Sequence, residues 1–271
     1  MSISVQLHDP LLGRHPTINP YRHAANLVWN RLCWDLDWRS WISRYRLKQW
    51  KNLHAGRKAV IVCNGPSLLK TDWSELKHVF TFGLNKINLL FEKTDWRPSC
   101  VVTINGFVLE QNADFYNQTD LPLFLHARAK QLVQFRPNVV FLHSSDQLKL
   151  ARDCSISINE GQTVTVAALQ LAFHMGFSSV ALVGCDHNFA HTGPANATVQ
   201  SGSRDESHFD ARYFSGGMKW QLPDLVASEY YYHLAGDIFR VHGRSITNCT
   251  VGGLLELYPR MELSEWLKVG F

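Results

Sequence analysis

From Lys58 onward the chain alternates short apolar runs with helix-like ones, and this alternation limits the fold more than any other feature. The runs "KAVIVC", "HVFTFG", "CVVTI", "LPLFLH", "NVVFLH" and "SVALVG" are four to six residues long and rich in Val, Ile, Leu and Phe. Between them lie "SLLKTDWSELK", "NKINLLFEK", "VLEQNADFYN" and "QTVTVAALQLAFHMGF", which read as helices. Strand followed by helix predicts an α/β fold, a parallel sheet with crossover helices. The strands are apolar throughout and do not alternate, as expected when helices cover both faces. A long helix, about Asp224 to Val241, and a last strand in "RSITNCT" close the pattern.

Two regions break the rhythm. Residues 187–223 are rich in Gly, Ser, Asn, Pro and His, and so long an irregular stretch in a compact domain reads as an inserted lid. With few apolar anchors in its composition, its middle is expected to be loosely held. Residues 1–55 form an N-terminal helical extension and 56–271 the main domain. In the extension, Trp29, Trp34, Trp38, Trp41 and Trp50 are interleaved with Arg22, Arg31, Arg39, Arg44, Arg46 and Lys48. Leu27, Trp34, Trp38, Trp41 and Tyr45 fall on one helical stripe. One reading is a helix that contacts a headgroup boundary or an acceptor. The plainer reading, preferred here, is a long helix packed across the main domain with its arginines in water.

The net charge of +4 is mild and makes no case for a nucleic-acid partner. The six cysteines have no CxxC spacing, which suits reduced thiols in the cytoplasm and not a zinc site or disulfide framework. No signal-peptide core and no apolar run near 18 residues occurs, so a soluble protein is expected. Its Asn-x-Thr tripeptides read as chance matches.

The candidate site comes from the strand ends, because ligands of open parallel sheets bind beyond the carboxyl ends of the strands. The first strand ends in Asn64-Gly65-Pro66-Ser67, the second in Asn85, the third in Asn105, and a later one in Asp186-His187-Asn188. One strand-end Asn is usually a turn former. Three on one edge suggest donors and acceptors for ribose hydroxyls and base edges. Gly65 would let the backbone approach a phosphate, and Ser67 would open a helix whose amides favour an anion. The loop is neither GxGxxG nor a Walker motif.

The pieces "NGPSLLKTDWSELK", "FGLNKINLLFE", "INGFVLEQ", "GQTVTVAALQLAFHMGFSSVALVGCD" and "RDESHFD" resemble, in order and spacing, the bacterial lipo-oligosaccharide sialyltransferases. They equally resemble the MptE-like proteins, which include 6-hydroxymethylpterin diphosphokinases and flagellin-glycosylation factors. The resemblance runs from about Lys58 to Thr250 and implies a Rossmann-like nucleotide-binding catalytic domain. In the sialyltransferases the matching asparagines hold the CMP part of the donor, which implies that role for Asn64, Asn85 and Asn105. A donor-contacting turn matches Gly161-Gln162-Thr163, and the general base matches His208. The tyrosines that bind the leaving phosphate in that family have no counterpart; His187, His191, Tyr213 and Lys219 are the candidates to replace them.

Taken alone, His208 is a solvated loop histidine or a base near neutral pH, and Asp186 is a turn residue, an orienting group or a Mg²⁺ ligand. Cys63 and Cys185 read as small core residues. The resemblance implies transfer of a sugar, of the sialic or related nonulosonic acids, from a CMP donor to a cell-surface glycan with no metal cofactor. The alternatives are an Mg²⁺-dependent, ATP-using diphosphokinase and an accessory protein with a vestigial pocket. The expected location is cytoplasmic, the Trp/Arg helix offering contact with the inner face of the membrane; a homo-oligomer is compatible with it.

Overall fold

The computed structural model describes residues 19–145, 147, 149–190 and 193–269. In chain order its strands are β1 Lys58–Val62, β2 Phe80–Leu84, β3 Cys100–Thr103, β4 Leu123–His126, β5 Val139–Leu142, β6 Ser144–Ser145, β7 Ile158–Asn159, β8 Ser179–Val183, β9 Thr198–Gln200, β10 Lys219–Gln221 and β11 Ser245–Asn248. The helices are α1 Pro20–Asp35, α2 Trp38–Trp50, α3 Gly106–Gln111, α4 Ala113–Gln118, α5 Val164–Met175, α6 Leu225–Val241 and α7 Leu263–Lys268. Seven strands make one sheet in the order β11-β8-β1-β2-β3-β4-β5, every pair parallel. This is the parallel sheet the strand–helix rhythm predicts and the Rossmann-like architecture the resemblance implies, and all six strand runs form strands.

Both faces of the sheet are buried. Ala59, Ile61 and Cys63 of β1 and its end pack with Leu47, α5 and α6. Val60 and Val62 point the other way, to Leu68, Leu76, Ile87, Trp96, α3, α4 and α7. The two-residue period of the strand thus assigns each helix to a face. α5 ends where Gly176, at φ 93°, adopts the left-handed cap that a side chain would strain. α6 starts where Asp224 accepts the amide of Ala227.

The crossovers differ from expectation. "SLLKTDWSELK" forms two short 3₁₀ turns, Pro66–Lys70 and Trp73–Leu76, because Asp72 caps Ser74 in mid-run and restarts the helix. "NKINLLFEK" keeps one 3₁₀ turn, Ile87–Leu90. "VLEQNADFYN" breaks at Asn112, whose side chain is pinned to Asn88.

The extension is two helices, not one. Asp37 accepts the amide of Arg39 and starts α2 in a new phase. α2 then buries Ser40, Ser43 and Leu47, while Trp38, Trp41 and Tyr45 of the expected packing stripe are exposed, as is Leu27; only Trp34 of that stripe is buried. The buried serine face has a use. β5 is an edge strand, and Ser43 Oγ accepts the amide of Phe141 while Arg46 donates to the carbonyl of Val139, so α2 covers polar groups that an edge would leave open.

Segment 187–223 is also better anchored than its composition suggests. β9 and β10 pair as an antiparallel hairpin, and Phe209, Tyr213, Phe214, Trp220 and Leu222 are buried in the second core cluster. The anchors are aromatic and few, so they are easily overlooked among the polar residues.

His126, at the end of β4, is 5% exposed. Burial lowers it to about 4, against a partial upward pull from Glu160. Its folded pKa lies below its unfolded value, so the stability it contributes is complete above about 6.5 and is lost as pH falls toward 4. The melting temperature should drop across that window, by at most about 3 kcal/mol of stability from this residue. His126→Gln, followed by thermal melts from pH 7 to pH 4, should flatten that drop; an unchanged slope would remove His126 as its cause.

Candidate active site

Strand order reverses between β8 and β1, and the crevice at this switch point is where a parallel sheet binds ligands. The two strands stay paired beyond their ends, through Cys63 N–H to Val183 O at 2.9 Å and Gly65 N–H to Gly184 O at 2.8 Å. Asp186 then crosses the gap. Its Oδ2 accepts the Ser67 amide at 3.1 Å and the Ser67 hydroxyl at 2.8 Å. A Cβ on Gly65 would sit 1.9 Å from that oxygen. Gly65 is therefore small to admit Asp186, not a phosphate. The amide at the start of the five-residue 3₁₀ turn Pro66–Lys70 is likewise taken by the protein's own carboxylate, which corrects the expected anion site there.

A cleft of about 230 Å³ opens at this edge. It gathers Asn64, Gly65, Asn85, Asn105, Gln162, Thr163, Asp186, His187 and His208; Pro66 and Ser67 are not part of its lining. Asn64 is 8% exposed, and its Oδ1 is buried without a donor. Such an orphaned amide in a cleft wall is what a ligand's hydroxyl or amino group would satisfy. Asn85 sits at φ 51°, its amide bonded to Val102 O and its side chain beside the Tyr213 hydroxyl. Asn105 has a structural duty: its Oδ1 caps α3 by accepting the amides of Phe107 and Val108. The turn reading holds for that oxygen.

The Gly161-Gln162-Thr163 turn is built for its shape. Gly161 and Gln162 have φ of 57° and 61°, and a Cβ on Gly161 would overlap Val166 at 2.3 Å. Thr163 caps α5. Glu160, just before the turn, also lines the cleft. The Ser144 hydroxyl donates to its Oε1 at 3.0 Å and is in turn bonded to His126 Nε2 at 2.8 Å.

His208 also lines the cleft. Its Nδ1 is 2.8 Å from Asp205 Oδ2, and its ring stacks on Tyr213 with centroids 4.0 Å apart and planes 1° apart. Burial acts to raise Asp205, but the bonds from His208 and from the amides of Ser207 and Phe214 outweigh it and hold the carboxyl below its ordinary range. Asp205 thus stays an anion that orients the ring and leaves Nε2 as the nitrogen turned away from it. Behind the stack, Lys86 Nζ donates to Tyr213 O at 2.5 Å and to Gln111 Oε1 at 2.8 Å, and burial lowers its pKa to about 8. The Phe209 amide donates to Asn64 O at 3.0 Å, tying segment 187–223 to the first strand end.

Among the candidates to replace the missing tyrosines, His187 lines the cleft with Nε2 3.0 Å from Glu229 Oε1, and Tyr213 lines it beneath His208. Lys219 is exposed on β10 and outside the cleft lining, and His191 lies outside the described residues. The sequence reading missed Tyr232, which reaches the cleft from α6 with its hydroxyl 3.7 Å from Cys185 Sγ. Its signal was the phase of "EYYYHL" on the α6 helix, which turns Tyr231 and Tyr232 inward and leaves Tyr230 exposed. Cys63 and Cys185 are buried as expected, though they also form part of the cleft wall.

The model of the family described as 6-hydroxymethylpterin diphosphokinase MptE-like matches residues 40–192. No curated protein matches the sequence. Among solved structures, the chain is similar to the MAf glycosyltransferase from Magnetospirillum magneticum AMB-1, at 16% identity and a TM-score of 0.48. That match covers 84% of this chain and 39% of the other, so this chain spans well under half of that protein's length.

The geometry separates two glycine and asparagine roles by experiment. Gly65→Ala must push Asp186 off Ser67 and should cost about 2 kcal/mol or more, as broken buried hydrogen bonds do. Asn105→Ala removes a helix cap and should cost about 1 kcal/mol. Denaturant melts of both variants measure this; an unchanged midpoint for Gly65→Ala would break the link between the two strand ends.

Proposed function

This chain belongs to the 6-hydroxymethylpterin diphosphokinase MptE-like family, and we propose that it is a nucleotide-dependent glycosyltransferase. In this reading it moves a sugar of the sialic or nonulosonic acid class from a CMP donor to a hydroxyl of a cell-surface glycan. The observation that carries the reading is His208, held by Asp205, in the lining of the same cleft as the orphaned Asn64 amide. A held imidazole sharing a cleft with unpaired amides suits an acceptor and a nucleotide bound together.

The step balances simply. His208 Nε2 takes the proton of the acceptor hydroxyl as that oxygen bonds to the anomeric carbon of the donor sugar. The bond between the anomeric carbon and the CMP phosphate oxygen breaks, and CMP leaves with the electron pair. Asp205 stabilises the imidazolium that results, the same service the carboxylate performs in other His-based sites. Asn64 and Asn85 would hold the ribose and base, and the turn at Gln162 and Thr163 would flank the phosphate. In this reading Tyr232 and His187, both in the cleft lining, would take the part of the missing tyrosines.

One observation favours a second reading. The family match spans every strand-end residue of the cleft but stops at residue 192, before Asp205 and His208. A diphosphokinase would use that matched half with ATP, and Mg²⁺ would neutralise the triphosphate. The donors suit only a shared site. Asp186 Oδ2 is engaged by Ser67, and no cluster of three potential ligands occurs among the described residues, so the nucleotide's own phosphates would complete the coordination of a cation at Asp186.

Thermal shift separates the readings, since a ligand that binds only the native state raises its melting temperature. CMP and CTP should stabilise the protein without a cation, and Asn64→Ala should weaken CMP binding about tenfold with the fold intact. Stabilisation only by ATP with Mg²⁺ would favour the diphosphokinase, and none by any nucleotide would leave an accessory role. His208→Ala should lose about 10²-fold or more in turnover with CMP affinity nearly unchanged, and Asp205→Asn a smaller share of the same loss. Sugar transfer at near-normal rates by His208→Ala would end the general-base assignment.

A further inference from the structure

Among the described residues, α1 buries little of its surface. Every residue from Pro20 to Asn30 is exposed, and only Trp34 near its end is buried. A helix of this length is marginal in water without packing. Its exposed side chains include Tyr21, Val28, Trp29 and Leu32, with Trp29 65% and Leu36 78% exposed. At the corner α2 adds Trp38, Trp41 and Tyr45, all exposed, and the Trp41 ring N–H donates to Asp35 O, which holds that ring against the end of α1. So many large apolar groups on one corner mark a contact surface.

Charge identifies what it contacts. Residues 19–57 hold eight Lys or Arg and two Asp, a net of +6, while the whole chain carries only +4. Arg31, Arg39 and Arg44 are paired with Asp35 or Asp37, and the exposed Arg22 and Lys48 have no carboxylate partner among the described residues. Two copies joined through this corner would bring +6 against +6, which disfavours a self-contact. An anionic sheet with an apolar layer beneath it matches both properties: Trp and Tyr rings sit at headgroup depth, and cations meet the phosphates. No helix among the described residues is long and apolar enough to cross a bilayer.

We propose that the α1–α2 corner rests on the surface of an anionic phospholipid bilayer, its aromatic side chains in the headgroup layer and its cations on lipid phosphates. The proposal stands independently of the chemistry in the cleft. It would make the extension a mooring that keeps the cleft near lipid-borne substrates.

The test is co-sedimentation of the full chain with vesicles of phosphatidylcholine alone or with about 30% phosphatidylglycerol, at about 0.1 M and 0.5 M salt. Binding is expected on the anionic vesicles, weakened at high salt and at least tenfold weaker on phosphatidylcholine alone. Two variants probe the two properties separately: Trp29→Ser with Leu36→Ser, and Arg22→Glu with Lys48→Glu. Each should lose at least about tenfold in vesicle partition with an unchanged melting temperature, since the replaced side chains are exposed. Failure to sediment, or equal binding to both vesicle types, overturns the proposal. So does light scattering that finds a dimer which the Trp29/Leu36 variant dissociates, since the corner would then be a self-contact.

Discussion

The hydrogen bonds from Ser67 to the Asp186 carboxylate hold the site together. They span the only place in the sheet where two neighbouring strands, β1 and β8, are followed by chains that depart in opposite directions along the strand order. Such a crevice is useful because nothing in the ladder closes it, and for the same reason it has nothing to fix its width. Asp186 supplies the missing rung. It satisfies the first amide of a short 3₁₀ turn, requires Gly65 to stay bare, and is itself backed by Gly253, where a Cβ would come within 3.0 Å of the Asp186 backbone. The Leu254 amide donates to Asp186 O at 2.8 Å, so the loop after β11 is set by the same residue. The cleft owes its shape to an internal ion–dipole contact that a reader of the motif would assign to a ligand.

The fold was legible because burial on both faces forces apolar runs that nothing else in the chain imitates. The six strand runs of the main body and the α5 and α6 helices are of this kind. The crossovers were not legible, since an Asp or Asn that restarts a helix in mid-run, such as Asp72 or Asn112, leaves the apolar spacing intact while changing the backbone. In the site, membership of one cleft was readable from the strand ends, and nine of the named residues meet there. Their individual duties were not. Asn105 spends its oxygen on capping the two amides just after it, and Gly65 yields to the carboxylate of Asp186, far along the chain. Tyr232 and Glu160 escaped notice because their sequence surroundings are those of ordinary helix and loop residues. The extension misled for a related reason: its aromatic stripe has the spacing of a packed face, but β5 needs hydrogen-bond partners, and serines win the inner side of α2.

Charge is unevenly partitioned along the chain. Residues 19–57 carry a net +6, whereas residues 58–271 hold 18 Lys or Arg against 20 Asp or Glu, a net of −2. The sheet and its cleft therefore sit on a nearly neutral body, and the cleft lining combines amides such as Asn64 and Asn85 with the carboxylates of Glu160 and Asp186. The long-range field of the cationic segment is screened within about 10 Å at ordinary ionic strength.

The serine face of α2 has a further consequence, in the order in which the chain is made. α2 leaves the ribosome about 90 residues ahead of the strand it covers, as the separation of Ser43 and Phe141, 98 positions, requires. Contacts of that span are slow to form because a long loop must close first. During synthesis the helix has no partner, and its two buried serines can be satisfied only by water. β5, once made, is an open edge until α2 returns to it. α2 thus exists well before the strand it covers and is placed only once that strand is made, and the time between those events is when a newly made chain is most exposed to pairing with its neighbours.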